Sequence, residues 1–121
     1  MILTGPETVT VDEFGEHVGK LFVKPADHGG RCVHAAMCVA GEGGELIDAV
    51  KKHWIYGAEL DTANILEECG DVLFYVTALL GEVGYTMNDA MVHNVAKLKK
   101  RYPQGYTDQA ARDRADKQPK T

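Results

Sequence analysis

The sequence contains no stretch in which apolar and polar residues alternate as they do in a strand, and no apolar run long enough to span a bilayer, the longest being broken by Gly81 and Glu82. Neither a β-fold nor a membrane span is therefore expected. Cysteine is scarce: Cys32, Cys38 and Cys69 are odd in number and form no C-x-x-C pair, so neither a disulfide framework nor a zinc site is indicated. Basic charge is also short. With 13 Lys and Arg against 18 Asp and Glu, the net charge of −5 argues against a nucleic-acid surface. It does not argue against a small phosphorylated substrate, because a metal ion can invert the local sign. No glutamate has a histidine three residues on, which removes a ferritin-like di-metal bundle. The opening residues Met1-Ile-Leu-Thr-Gly-Pro-Glu7 lack the basic and apolar regions of a signal peptide, so a cytoplasmic protein is expected.

What is present reads as helix. The 121 residues, 45% hydrophobic and 26% charged, suffice for one globular domain. Thr10-Val-Asp-Glu13 is a capping box, and Val11, Phe14, Val18, Leu21 and Phe22 follow helical spacing up to Pro25. A second helix is predicted over Arg31 to Lys52, with Val33, Met37, Ala40, Gly44, Ile47 and Trp54 as its buried stripe. Gly43 and Gly44 inside it each cost about 1 kcal/mol relative to Ala, so a close neighbouring helix or ligand is expected beside them. A third helix runs from Glu59 to Val83, with Leu66, Leu73 and Leu80 in heptad spacing as bundle or dimer core. Thr86-Met-Asn-Asp89 opens a fourth that Pro103 stops. The expectation is an all-α bundle of four to five helices. Residues 1–107 form one catalytic domain (10–24 an N-terminal helix, 31–103 the core helices), and 108–121 a polar, mobile tail.

Two paired acids organise this chain. Glu42-Gly-Gly-Glu45 and Glu68-Cys-Gly-Asp71 each place two carboxylates on one helical face, and residues 46 to 67 are enough for one helix to end and an antiparallel partner to begin. A lone pair of this kind is usually a solvated face. Glu68 and Asp71, however, lead into residues 72–83, which are apolar apart from Thr77, Gly81 and Glu82. A helix apolar all round is buried, and carboxylates leading into it need a partner. Four clustered carboxylates repel one another unless protonated or bridged by a cation, and oxygen-only ligation suits Mg2+. On the fourth helix Asn94, Lys97 and Arg101 recur at steps of three and four, a line that either faces solvent or clamps phosphates. Trp54 either caps the core or stacks on a nucleobase.

Taken in order, these pieces resemble the MazG-like family of all-α nucleoside triphosphate pyrophosphohydrolases. The resemblance covers His34 to Tyr106. It is carried by His34-Ala-Ala-Met37, Gly41-Glu-Gly-Gly-Glu-Leu46, Ile55-Tyr-Gly57, Leu66-Glu-Glu-Cys-Gly-Asp-Val-Leu-Phe-Tyr75 and Asn94-Val-Ala-Lys-Leu-Lys-Lys-Arg-Tyr-Pro103. Two positions depart from the family pattern: Gly41 stands where a further acid is common, and Cys38 where glycine is expected.

The resemblance implies that Glu42, Glu45, Glu68 and Asp71 hold Mg2+, with Mn2+ as a substitute, and that Lys97 and Arg101 contact the triphosphate. Asn94 then lines the substrate site; His34 and Trp54 are further substrate-binding candidates, and Glu45, from its central placement among the acids, is the candidate general base. It further implies cleavage of an NTP or dNTP to the nucleoside monophosphate and pyrophosphate by a homodimer or homotetramer, the tetramer being favoured. Neither nucleic acid nor membrane is expected as a partner. The alternatives are a non-catalytic nucleotide-sensing or oligomerisation module on the same fold, or a hydrolase of another phosphorylated compound.

Overall fold

The computed structural model describes residues 2–119; Met1, Lys120 and Thr121, at the ends of the expected domain and tail, lie outside the described residues. Five α-helices and no strand occur among the described residues: α1 (Val11–Leu21), α2 (His28–Trp54), α3 (Thr62–Glu82), α4 (Met87–Arg101) and α5 (Asp108–Asp113). A 3-10 turn over Ala115–Lys117 follows. The all-α expectation holds. Among the described residues no helix is long and apolar enough to cross a membrane.

Local chemistry sets the boundaries. Thr10 Oγ1 accepts from the Glu13 backbone N–H at 3.1 Å, the cap that the Thr-x-x-Glu spacing predicts. α2 begins at His28, ahead of the predicted Arg31, because Asp27 Oδ2 accepts from the Gly30 N–H at 2.7 Å and draws His28-Gly-Gly30 into the first turn. Gly30 is required there: a Cβ would meet Pro25 Cγ at 2.7 Å and Asp27 Oδ1 at 2.8 Å. α3 starts at Thr62 behind the Asp61 cap and ends in a Schellman motif. Gly84 takes a φ of +87°, the Tyr85 N–H reaches Leu80 O at 2.9 Å, and the Gly84 N–H reaches Gly81 O at 3.3 Å.

Backbone contacts divide the chain into two compact units, Met1–Met87 and Asn88–Thr121. In the first unit α3 packs on both α1 and α2. His28 and Arg31 meet Glu82 while Glu42 meets Glu68, so α2 and α3 run antiparallel. The core is small: Val18, Ala35 and Ala78 are buried, with Phe14, Phe22, Phe74 and Leu79 packed around them. Alanine at 35 and 78 allows close helix approach.

The stripe predicted for the second helix is not its buried face. Within this chain Met37 and Ile47 are each 68% exposed and Trp54 is 83% exposed, with Val33 exposed as well, while Ala35 and Ala49 point inward. Periodicity located an apolar face but could not say that α3 would dock on the small-residue face instead. Leu66 and Leu73 of the heptad are likewise exposed. A Cβ at Gly43 or Gly44 would meet nothing within 4 Å, so no neighbouring helix of this chain explains those glycines.

In the second unit the polar segment from 108 onward, expected as a tail, carries α5 and the 3-10 turn. Thr107 Oγ1 caps α5 through the Ala110 N–H at 3.0 Å. Asp116 then bonds back to Arg101 through both of its carboxylate oxygens, at 2.6 and 3.0 Å.

Candidate functional site

The acidic pairs come together across the α2–α3 contact. Carboxylate oxygens of Glu42, on α2, and of Glu68 and Asp71, on α3, all lie within 4.8 Å of one another. The helical step of three puts Glu68 and Asp71 on one face of α3, and the antiparallel docking brings Glu42 opposite them. Glu45 is exposed and stands outside this close group. It is still near enough for its charge to act on Glu68.

The electrostatics are those of an unsatisfied anionic cluster. The Glu68 carboxyl is pushed up to about 7, first by a hydrogen bond shared with the Glu42 carboxyl, then by loss of water and by the charges of Glu42, Asp71 and Glu45. Its Oε2 is shut off from solvent and finds no hydrogen-bond partner. Asp71 is also held above the ordinary carboxylate range, mainly by burial and then by Glu42 and Glu67. An orphaned buried oxygen facing other carboxylates is what a hard divalent cation satisfies, so the donor set fits Mg2+.

Tyr75, one turn beyond Asp71, borders the same cluster, a neighbour that sequence reasoning missed. Burial raises its phenol, with further contributions from Cys38, Glu42 and Asp71. The signal was available in the step of four from Asp71. Cys38, which departs from the expected glycine, shares a hydrogen bond with this phenol.

None of the remaining predicted residues is one of the three clustered acids. His34 stacks on Phe22 with centroids 5.4 Å apart and rests against Tyr75 at 6.1 Å, while its Nδ1 lies 3.2 Å from Lys24 O. Those contacts tie the α1–α2 connection to α2. Trp54 lies in a shallow apolar groove with Leu46, Ile47, Val50 and Ile55. It is twelve residues beyond Glu42, about 18 Å along the helix. Asn94, Lys97 and Arg101 all lie on α4, with Asn94 exposed and Lys97 half-buried. The Arg101 guanidinium is engaged by Asp116, whose side chain is 3% exposed.

Compared with known proteins, residues 34–106 match the family model described as the MazG nucleotide pyrophosphohydrolase domain. No curated protein and no solved structure matches the chain.

Proposed function

The chain belongs to the MazG nucleotide pyrophosphohydrolase family, and from that premise we propose that it hydrolyses a nucleoside or deoxynucleoside triphosphate to the monophosphate and pyrophosphate, with Mg2+ as cofactor. The observation that carries the proposal is the cluster of Glu42, Glu68 and Asp71 with its orphaned Glu68 oxygen. Glu42, Glu68 and Asp71 would hold the ion, with Glu45 at the cluster's exposed edge; Mn2+ suits the same oxygens. When bound, the ion supplies Lewis-acid neutralisation of phosphate oxygens.

The chain's own residues account for the remaining tasks. Glu45, exposed and outside the tight group, would take a proton from an attacking water. Lys97 would meet the triphosphate as a point charge, Arg101 as a planar fork and Asn94 as a neutral donor. Arg101 can do so only by sharing or leaving Asp116. For the base, the Trp54 indole is exposed enough to stack, whereas the His34 ring would first have to leave Phe22. We further propose a homo-oligomer, a tetramer in preference to a dimer. The exposed Val33, Met37, Ile47, Leu66 and Leu73 on α2 and α3 support it, since they leave the longest helices with apolar faces that this chain does not cover.

The test is product analysis with a panel of NTPs and dNTPs, with Mg2+ and with EDTA. Monophosphate and pyrophosphate formed only with the metal, and lost in Glu42→Gln, are expected. A folded, Mg2+-binding protein that cleaves none of them would overturn the hydrolase reading.

A further inference from the structure

At the opposite end of the α2–α3 pair, His28 and Cys32 of α2 meet Glu82 of α3, which lies 54 residues beyond His28. His28 and Cys32 are one turn apart on α2, and His28 Nε2 lies 3.8 Å from Cys32 Sγ. The other ring nitrogen, Nδ1, lies 2.8 Å from Glu82 Oε2 on α3. Arg31 holds the second oxygen of that carboxylate, Nε to Oε1, at 2.6 Å. None of the four has a task in the hydrolysis proposed above. Cys32 is ten residues, about 15 Å of helix, from Glu42.

Two chemistries use histidine, cysteine and glutamate together. A metal ion needs all three donors aimed at one point. One donor atom from each of His28, Cys32 and Glu82 lies within 4.8 Å of the others, but the ring presents opposite nitrogens to its two partners and Arg31 already neutralises the carboxylate. A nucleophile, a base and an orienting acid, by contrast, use every contact as it stands. Glu82 is ionised, held below the usual carboxylate range by Arg31 and His28. It can therefore only accept, which puts a ring proton on Nδ1; the neutral ring then faces the thiol with its Nε2 lone pair. Cys32 is half-buried and the His28 side chain is 61% exposed.

We propose that Cys32 is an activated thiol, with His28 as its general base and Glu82 as the positioning acid, that exchanges with small disulfides. Sγ attacks one sulfur of the disulfide as Nε2 takes the thiol proton. The new S–S bond forms as the old one breaks, and the departing thiolate recovers the proton from the imidazolium. The products are a mixed disulfide on Cys32 and one free thiol, so the small disulfide is the only oxidant required.

The test is reaction of the full chain with oxidised glutathione near neutral pH, each cysteine followed separately by peptide mass spectrometry, with iodoacetamide as a second probe. Cys32 should react roughly tenfold or more faster than the more exposed Cys69 with both probes, and His28→Gln should remove most of that advantage. Glu82→Gln should remove part of it. His28 is a largely exposed side chain, so its variant should retain the wild-type helical circular dichroism and decides the matter even if Glu82→Gln loosens the fold. Equal rates at Cys32 and Cys69, or a rate indifferent to His28→Gln, overturns the proposal. Stoichiometric Zn2+ uptake that blocks labelling of Cys32 and is lost in His28→Gln overturns it too, in favour of a metal site.

Discussion

Glu68 on α3 faces Glu42 on α2 carboxyl to carboxyl, and one buried Glu68 oxygen has no hydrogen-bond partner. Like groups at that separation raise the energy of the folded chain unless a proton or a cation sits between them. The first prediction follows from that repulsion. Mg2+ should raise the melting temperature of the purified protein, with a gain of about 2.7 kcal/mol at a hundredfold excess over its Kd. Glu68→Gln should melt higher than wild type in EDTA yet gain little from Mg2+, and its turnover should fall by roughly a hundredfold or more. Scanning calorimetry with and without metal, beside the product assay, checks all three.

Glu82 sets a pH limit. Its carboxyl is held low by Arg31 and then by His28, so the folded state binds this proton less readily than the unfolded chain. The resulting stability is present above the ordinary glutamate range and is lost as pH falls through it toward the depressed folded value. Glu82→Gln should therefore lower the melting temperature near neutrality and flatten its decline in acid. Melting curves across the acid range, wild type against variant, provide the comparison.

Asp116 fastens the C-terminal segment to α4. Asp116→Asn should turn the two-point ion pair with Arg101 into a weaker contact and expose α5 and the turn after it to protease. If Arg101 also binds phosphate, the same substitution should leave kcat near wild type and lower KM. Limited proteolysis and steady-state kinetics on one preparation read both effects.

Burial separates two apolar substitutions that the sequence treats alike. Val18 is 2% exposed in the core, so Val18→Ala should cost roughly 2 kcal/mol of stability. Trp54, 83% exposed within one chain, should cost little when it is replaced unless a second subunit covers it. Ile47→Glu should shift the proposed oligomer toward monomer in light scattering while leaving the helical circular dichroism unchanged. An assembly indifferent to Ile47→Glu would place the interface on another face.

Much of this protein was readable along the chain because the signals are short-range. Thr10 capping Glu13 and Gly84 closing α3 depend on residues a turn or less away, so composition and spacing carry them. The same holds for Glu68 and Asp71, whose step of three puts them on one face whatever else the chain does. The sequence by itself thus determined an all-α chain, its principal helices and the two acidic pairs. Which helix faces meet was decided only by tertiary structure, because an apolar stripe says that something must cover it and not what. Docking of α3 on Ala35 rather than on the Met37 and Ile47 face left those side chains open, and set Glu45 apart while Glu42 joined Glu68 and Asp71. Long-range pairing likewise brought Glu82 to His28 and Arg31, and returned Asp116 to Arg101. Such contacts arise from how helices pack and where the chain turns back, and no local pattern of residues encodes them.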